Sequence, residues 1–358
     1  MTEEKLNQYK ALAAQGDAEA QFQLGEYYFA QRSGTETEEE EEKVSAECIK
    51  WYTKAAEQGH ATAQRYLGEF HETGICADED DEEAAKWYRR AAEQGDVTAQ
   101  YRLADLLMEG GWNLDADEEE AVKWFKKAAD QGDADSQYRL GEYYYFNEDD
   151  DEEGVKWYKL AAEQGQKDAM SQLGVCYYYG NGIAQDYRTA VKWFTLAAEQ
   201  GQKDAQFFLG ECYFYGHGVP SNENTSFKWY KLAAEQGDAD SQYHTGLCYE
   251  YGTGVEKDIE KACKWYKKSA KNGNDEAQCQ LGVFYLNGTV VDENGEKAFK
   301  WFKKSAKQEN AEAQYYLGWC HQNGFGTEVD LTKAIKWYKK AADQGDDDAR
   351  ERLEELGK

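Results

Sequence analysis

Groups able to attack, ligate a metal or carry a proton are few in this sequence, and they are dispersed. His60, His71, His217, His244 and His321 stand far apart with no recurring partner, whereas acid–base and nucleophilic catalysis need a base, a nucleophile and an orienting group brought together. No His-Glu-x-x-His helix, Cys-x-x-Cys pair or strand-borne nucleophile turn occurs. Gly-x-Gly at Gly180 to Gly182, Gly216 to Gly218 and Gly252 to Gly254 follows helical patterning, so these glycines close turns and do not cradle a phosphate. The acidic runs lack the spaced ligands and central Gly of a calcium loop. The chain is therefore read as a non-enzyme with no catalytic residues, no metal and no cofactor.

Eight cysteines are read as free thiols. Cys176, Cys212, Cys248 and Cys320 each stand two residues after a Gly, where a small buried hydrophobe recurs, and no regular pair accompanies them. What remains is recognition chemistry. Seventy acidic residues against 41 basic ones give a net charge of −29, which excludes nucleic acid and an anionic membrane as expected partners, because both demand a basic surface. A basic protein or peptide fits. Acid concentrates in four runs, Glu36 to Glu42, Asp78 to Glu83, Asp115 to Glu120 and Glu148 to Glu153, so residues 1–165 carry a net −24 and 166–358 a net −5. Such runs either keep an array soluble and monomeric or form a landing strip for a basic partner. Met1 to Asp17 show no basic segment leading into an apolar one, and no stretch approaches about 18 consecutive apolar residues. The expected setting is the cytoplasm.

The elements that position these groups follow from one residue type. Trp51, Trp87, Trp124, Trp157, Trp193, Trp229, Trp265, Trp301 and Trp337 are separated by 36, 37, 33 and then five times 36 residues, the period of a stacked repeat. Counting from Trp, small or apolar residues fall at −3, 0, +1, +4 and +5, one face of a helix, here helix B. The apolar spacing Ala63, Leu67, Phe70 marks a second helix, A, and two such amphipathic helices bury their stripes only by stacking on neighbours. A single proline agrees with long helices.

Helix B ends at Gly59, Gly95, Gly132, Gly165, Gly201, Gly237, Gly273 and Gly345, with Glu309 in the remaining place. Gly suits a left-handed helix terminus, and Asp or Asn after several of them can cap the next helix. Glu309 must adopt that conformation at a cost of roughly 1 kcal/mol, or reshape the turn. Helix A carries a mid-helix Gly, with Ala104 once, and from Gly68 to Gly318 it always stands 17 residues after a Trp. This implies close helix contact, and the Trp of helix B is the expected neighbour needing room. Length variation is confined to the A-to-B connection, which places insertions on one rim.

The pattern Ala-x-Ala-Gln-x-x-Leu-Gly, then Gly-x-Gly-Val, Lys-Ala-x-Lys-Trp-Tyr and Ala-Ala-Glu-Gln-Gly, seen together from Ala239 to Gly273, resembles the Sel1-like repeat, a relative of the tetratricopeptide repeat. The resemblance covers nearly the whole chain. It implies an all-α, right-handed α-solenoid superhelix of nine helix-turn-helix repeats, with helix A lining the concave side, and a scaffold or adaptor role in protein complexes. The expected organisation of 1–358 is one solenoid: a capping helix at 3–16, nine repeats at 17–345 and a capping helix at 346–358. A regulatory subunit or secreted effector that recruits or inhibits an enzyme is the alternative.

On helix A, the arc opposite the buried stripe should be polar, and it is not. Its candidate binding residues are Phe22, Glu26 and Phe29; Tyr101; Tyr138, Glu142 and Tyr145; Tyr178; Phe207, Glu211 and Phe214; Tyr243; and Tyr315 with Trp319. One reading packs these aromatics between repeats. The other makes them anchors for a peptide with basic and apolar side chains. Because acidic steps fade after Glu211, the groove is expected to be more electrostatic in its N-terminal half and more hydrophobic in its C-terminal half.

Overall fold

The computed structural model describes residues 1–147 and 150–358; Glu148 and Asp149, which open the fourth acidic run, lie outside the described residues. Among the described residues there are twenty α-helices and no strand. The chain divides into two compact units, Met1–Ala169 and Met170–Lys358. In the first, α1 (Glu3–Ala14) precedes four A/B pairs: α2 (Ala18–Arg32) with α3 (Glu38–Glu57), α4 (Ala61–Thr73) with α5 (Asp81–Glu93), α6 (Val97–Glu109) with α7 (Glu118–Asp130), and α8 (Ala134–Phe146) with α9 (Asp151–Glu163). The division falls within α10 (Lys167–Tyr179), whose B helix is α11 (Tyr187–Glu199). The second unit continues with α12 (Lys203–Tyr215) and α13 (Glu223–Glu235), α14 (Ala239–Tyr251) and α15 (Ile259–Lys271), α16 (Asp275–Asn287) and α17 (Gly295–Ala306), α18 (Ala311–Asn323) and α19 (Leu331–Asp343), and ends on α20 (Asp347–Glu355).

Helix starts and stops have local causes. Asp17, Asp96, Asp133, Asp238, Asn274, Asn310 and Asp346 accept from the backbone N–H three residues on, and His60 and Gln202 take the same role. All eight terminal glycines have positive φ, and Glu309 joins them at 68°. Helix α17 correspondingly ends at Ala306 after 12 residues, where most of its counterparts have 13. The second Gly of the Gly-x-Gly turns is also left-handed, and Cys76 and Val290 occupy that place at φ 66° and 62°. Cys76 thereby packs against the core around Cys48. A hydrogen bond from Cys48, aided by Ser45 and the Arg32 charge, pulls the Cys76 thiol down to about 6.

The packing corrects one expectation. The residue that crowds the helix-A Gly is not Trp but the aromatic after it. A Cβ on Gly68 would stand 2.5 Å from the Tyr88 ring, on Gly141 2.4 Å from Tyr158, and on Gly210 2.5 Å from Tyr230. These rings point inward and are fully buried, as are Phe125, Phe194 and Phe302 in the same position. Trp lies one residue, or about 100°, around the helix, at the edge of the core, where a cation covers it in six repeats: Lys54 over Trp51, Arg90 over Trp87, Lys127 over Trp124, Lys268 over Trp265, Lys304 over Trp301 and Lys340 over Trp337.

A second correction concerns the acidic runs. Glu38 to Glu41, Asp81 to Glu83, Glu118 to Glu120 and Asp151 to Glu153 form the first turns of α3, α5, α7 and α9, where negative charge complements the helix dipole. The insertion in the first repeat does not project as a loop. It lengthens α3 to 20 residues, capped by Thr37 and tied to α2 by Arg32–Glu41 at 2.7 Å.

Polar order runs through the interior as a glutamine ladder. Gln64 on α4 donates to the Ala56 carbonyl at the end of α3 (2.9 Å) and accepts from Gln94 at the end of α5 (2.6 Å). The same pair of bonds recurs at Gln100 with Ala92 and Gln131, and at Gln206 with Ala198 and Gln236. Each glutamine thus gives a second donor to a helix-end carbonyl that also accepts from the terminal Gly N–H, as Ala56 does from Gly59.

Candidate protein-binding face

Helix A places the predicted arc beside the inward-facing ring of its own helix B and beside the next helix A. Most of its aromatics are therefore half-buried. Phe22 stacks on His60 at 4.5 Å, Tyr101 lies 5.9 Å from Phe125, Tyr243 5.7 Å from Tyr266, Tyr315 5.7 Å from Tyr338, and Trp319 5.7 Å from Phe325. Phe207 sits 6.0 Å from Tyr230 and Tyr145 6.1 Å from Tyr158. Phe29 and Phe214 remain exposed, at 37% and 42%. Tyr178 departs from its expected place on an open arc: it is 8% exposed, enclosed by Tyr187, Phe194 and Phe208, with its hydroxyl 2.9 Å from His217 Nδ1. Most of the arc is thus packed between helices, and Phe29 and Phe214 lie at the surface.

Its carboxylates are engaged as well. Tyr52 donates to Glu26 and Tyr230 to Glu211, while Tyr138 donates to Glu142 at 2.7 Å. Burial, reinforced by the neighbouring carboxylate, raises the pKa of all three tyrosines, so they stay protonated donors. Sequence reasoning treated Glu26 and Glu211 as free steps because a ring from another helix cannot be seen in the local pattern, and it overlooked that Tyr138 reaches Glu142 four residues on along α8.

Aromatics one residue beyond the arc were missed. Phe146, Tyr179, Tyr215 and Tyr251, the fifth residue after the helix-A Gly, are 59%, 56%, 56% and 69% exposed. The signal was present: a large aromatic recurs at the last helical residue, where no core position calls for one.

Two hollows form at equivalent places, one in each unit. In the first unit, Met108 on α6 and Arg139, Glu142, Tyr143 and Phe146 on α8 line a space of about 230 Å³ above Phe125. In the second, Phe214 on α12 and His244, Leu247 and Tyr251 on α14 line about 220 Å³ above Tyr230. Position by position, Arg139 corresponds to His244 and Glu142 to Leu247. The chemistry differs accordingly. Arg139 is shared by Asp105 at 2.9 Å, Glu109 at 3.1 Å and Glu142 at 3.5 Å, leaving a surplus of negative charge, and burial raises the Asp105 carboxyl while Arg139 pulls it back. His244 is stacked on Tyr230 at 4.8 Å, and burial lowers its basicity, which favours a neutral ring. No group of three His, Cys, Asp or Glu side chains able to hold a metal occurs among the described residues. Nor is any helix among them long and apolar enough to cross a membrane.

The Sel1 repeat pattern matches nine successive segments, 18–60, 61–96, 97–133, 134–166, 167–202, 203–238, 239–274, 275–310 and 311–346, each spanning one A/B pair. The chain belongs to the Sel1 repeat family. Among solved structures, this Sel1 repeat chain is similar to a protective antigen of uropathogenic Escherichia coli strains that displays an SLR fold, with 31% identity over 98% of this chain and 82% of that one and a TM-score of 0.71. A Sel1 repeat protein from Oxalobacter formigenes is also 31% identical over 99% of this chain and 92% of its own, with a TM-score of 0.49. No curated protein matches the sequence. The repeats of this family form all-helical solenoids that mediate protein–protein interaction and are generally not enzymes.

Proposed function

We propose that the chain is a scaffold that binds a protein or peptide segment along the exposed side of its A helices, with the two hollows as side-chain receptors. The observation that carries this reading is the pairing of equivalent hollows with opposite chemistry. The one around Arg139 holds three carboxylates for one guanidinium and suits a Lys or Arg side chain. The one around Leu247 and His244 is apolar and suits a Leu or aromatic side chain, with Phe214 and Tyr251 as rims. Under this proposal the early hollow recognises charge and the late one apolar groups, in keeping with the gradient expected from the sequence. Under the same proposal α1 and α20 close the stack, with their outer faces left charged.

Selection of displayed random peptides on the full chain tests it. Enriched peptides should combine a basic residue with an apolar one. Their affinity should fall about tenfold for the double variant Phe214→Ala, Tyr251→Ala, and the melting temperature should hardly move because both rings are largely exposed. Unchanged affinity in that variant would rule the face out.

A further inference from the structure

The net charge of the molecule conceals a basic surface in its last repeats. Helices α15, α17 and α19 together carry thirteen lysines and three acidic residues, Glu260, Glu296 and Asp343, while the rest of the chain carries 28 basic and 67 acidic residues. Two sets of these lysines are used locally. Those three residues after Trp cover its ring, and of those four before it Lys261 lies 5.3 Å from the Tyr249 ring and Lys297 5.2 Å from Tyr285; outside these two sets, Lys303 reaches only to 6.0 Å from Phe299 on its own helix. Lys261 and Lys333 also pair with Asp258 and Asp330, both at 3.0 Å, and among the described residues no other lysine of the thirteen lies within ion-pair distance of a carboxylate. Charge without a carboxylate partner therefore stands on Lys264, Lys267 and Lys271 of α15, on Lys300 and Lys303 of α17 with its C-cap Lys307, and on Lys336 and Lys339 of α19. The α15 set lines a shallow hollow of about 400 Å³ beside Trp265.

The fold does not ask for this arrangement. Lys264 and Lys300 hold a place that is Lys in α11 and α13 too (Lys192, Lys228), and Lys267 and Lys303 one that is Thr195 and Lys231; what sets α15 and α17 apart is Lys271 and Lys307, where α11 and α13 have Glu199 and Glu235. Lysines three and four apart repel one another by roughly 0.2–0.5 kcal/mol per pair. The helix dipole rewards cations only in the final turn, which accounts for one or two lysines per helix and not for the rows.

We propose that the outer faces of α15 and α17 form a second binding surface, separate from the helix-A face, that takes an acidic polypeptide segment. Charge complementarity selects the sign of the partner. The cations are all lysines, with no guanidinium fork for bidentate phosphate contacts, and the Trp rings that could stack on bases are already covered by Lys268 and Lys304 at 4.0 and 4.5 Å. An acidic segment needs neither feature, and a short one avoids the heavily acidic remainder of the chain. The proposal does not rest on the helix-A reading.

Fluorescence anisotropy of a labelled peptide of about ten glutamates, titrated with the full chain at about 50 mM and about 300 mM salt, tests the proposal. Binding is expected at low salt and weakens as salt rises. Replacing Lys264, Lys267, Lys271, Lys300, Lys303 and Lys307 by Gln should weaken it at least about tenfold, while Arg at the same six positions should retain it, and Phe214→Ala with Tyr251→Ala should leave it unchanged. Melting curves of both six-site variants should match the parent. No binding at low salt, equal binding by the Gln variant, or tighter binding of a single-stranded oligonucleotide of equal charge would overturn the proposal.

Discussion

A Cβ at Gly68 would stand 2.5 Å from the fully buried Tyr88 ring, so two opposing effects meet at a single carbon. Ala would favour the helix by about 1 kcal/mol, but displacing a packed ring costs about 1–3 kcal/mol. Because Tyr88 also donates to Glu72, its ring cannot retreat without losing that bond. Gly68→Ala should therefore lower stability by about 1–2 kcal/mol, read as a fall in melting temperature; a rise would show that the ring has room. The sequence revealed that something bulky faces this Gly, since a mid-helix Gly recurs at a constant 17 residues from Trp. It did not reveal which ring, because Trp and the next aromatic are adjacent and only the orientation of helix B separates them. Glu309 was legible in part: the sequence left it the left-handed conformation or a reshaped turn, and it takes the left-handed one after a helix of 12 residues.

Between helices, the stack is fixed in register by the glutamine ladder as well as by rings. Gln64 is 4% exposed and holds both the Ala56 carbonyl and the Gln94 amide. Gln64→Leu would keep the volume but remove two hydrogen bonds, leaving the Ala56 carbonyl with the Gly59 N–H and the Gln94 amide with the Arg90 carbonyl, so a loss of about 1–2 kcal/mol is expected. Gln94→Leu, at an exposed helix end, should cost less. Equal melting temperatures for the two variants would mean that water replaces the ladder. Both glutamines were visible as repeated letters in Ala-x-Ala-Gln and Glu-Gln-Gly. Their partnership was not, because it joins residues 30 apart whose approach depends on how A and B helices meet. The helix-A acids were misread for the same reason: Glu26 and Glu211 belong to tyrosines on other helices. By contrast, the A/B alternation itself needed only the 3.6-residue period and the Trp spacing, and the helices form where that pattern placed them.

For the molecule as a whole, charge and aromatic surface are distributed by repeat. Acid gathers at the starts of α3, α5, α7 and α9, lysine without a carboxylate partner gathers on α15, α17 and α19, and exposed rings edge the A helices. A family assignment explains the stack, whereas these uneven features are what can select partners. Hydrogen–deuterium exchange on the full chain, with and without a display-selected peptide carrying basic and apolar side chains, tests the central claim most directly. The account predicts slowed exchange in α12 and α14 around Phe214 and Tyr251 and in α8 around Arg139, with α15 and α17 unchanged. Protection confined to B helices, or none on the A helices, would contradict it.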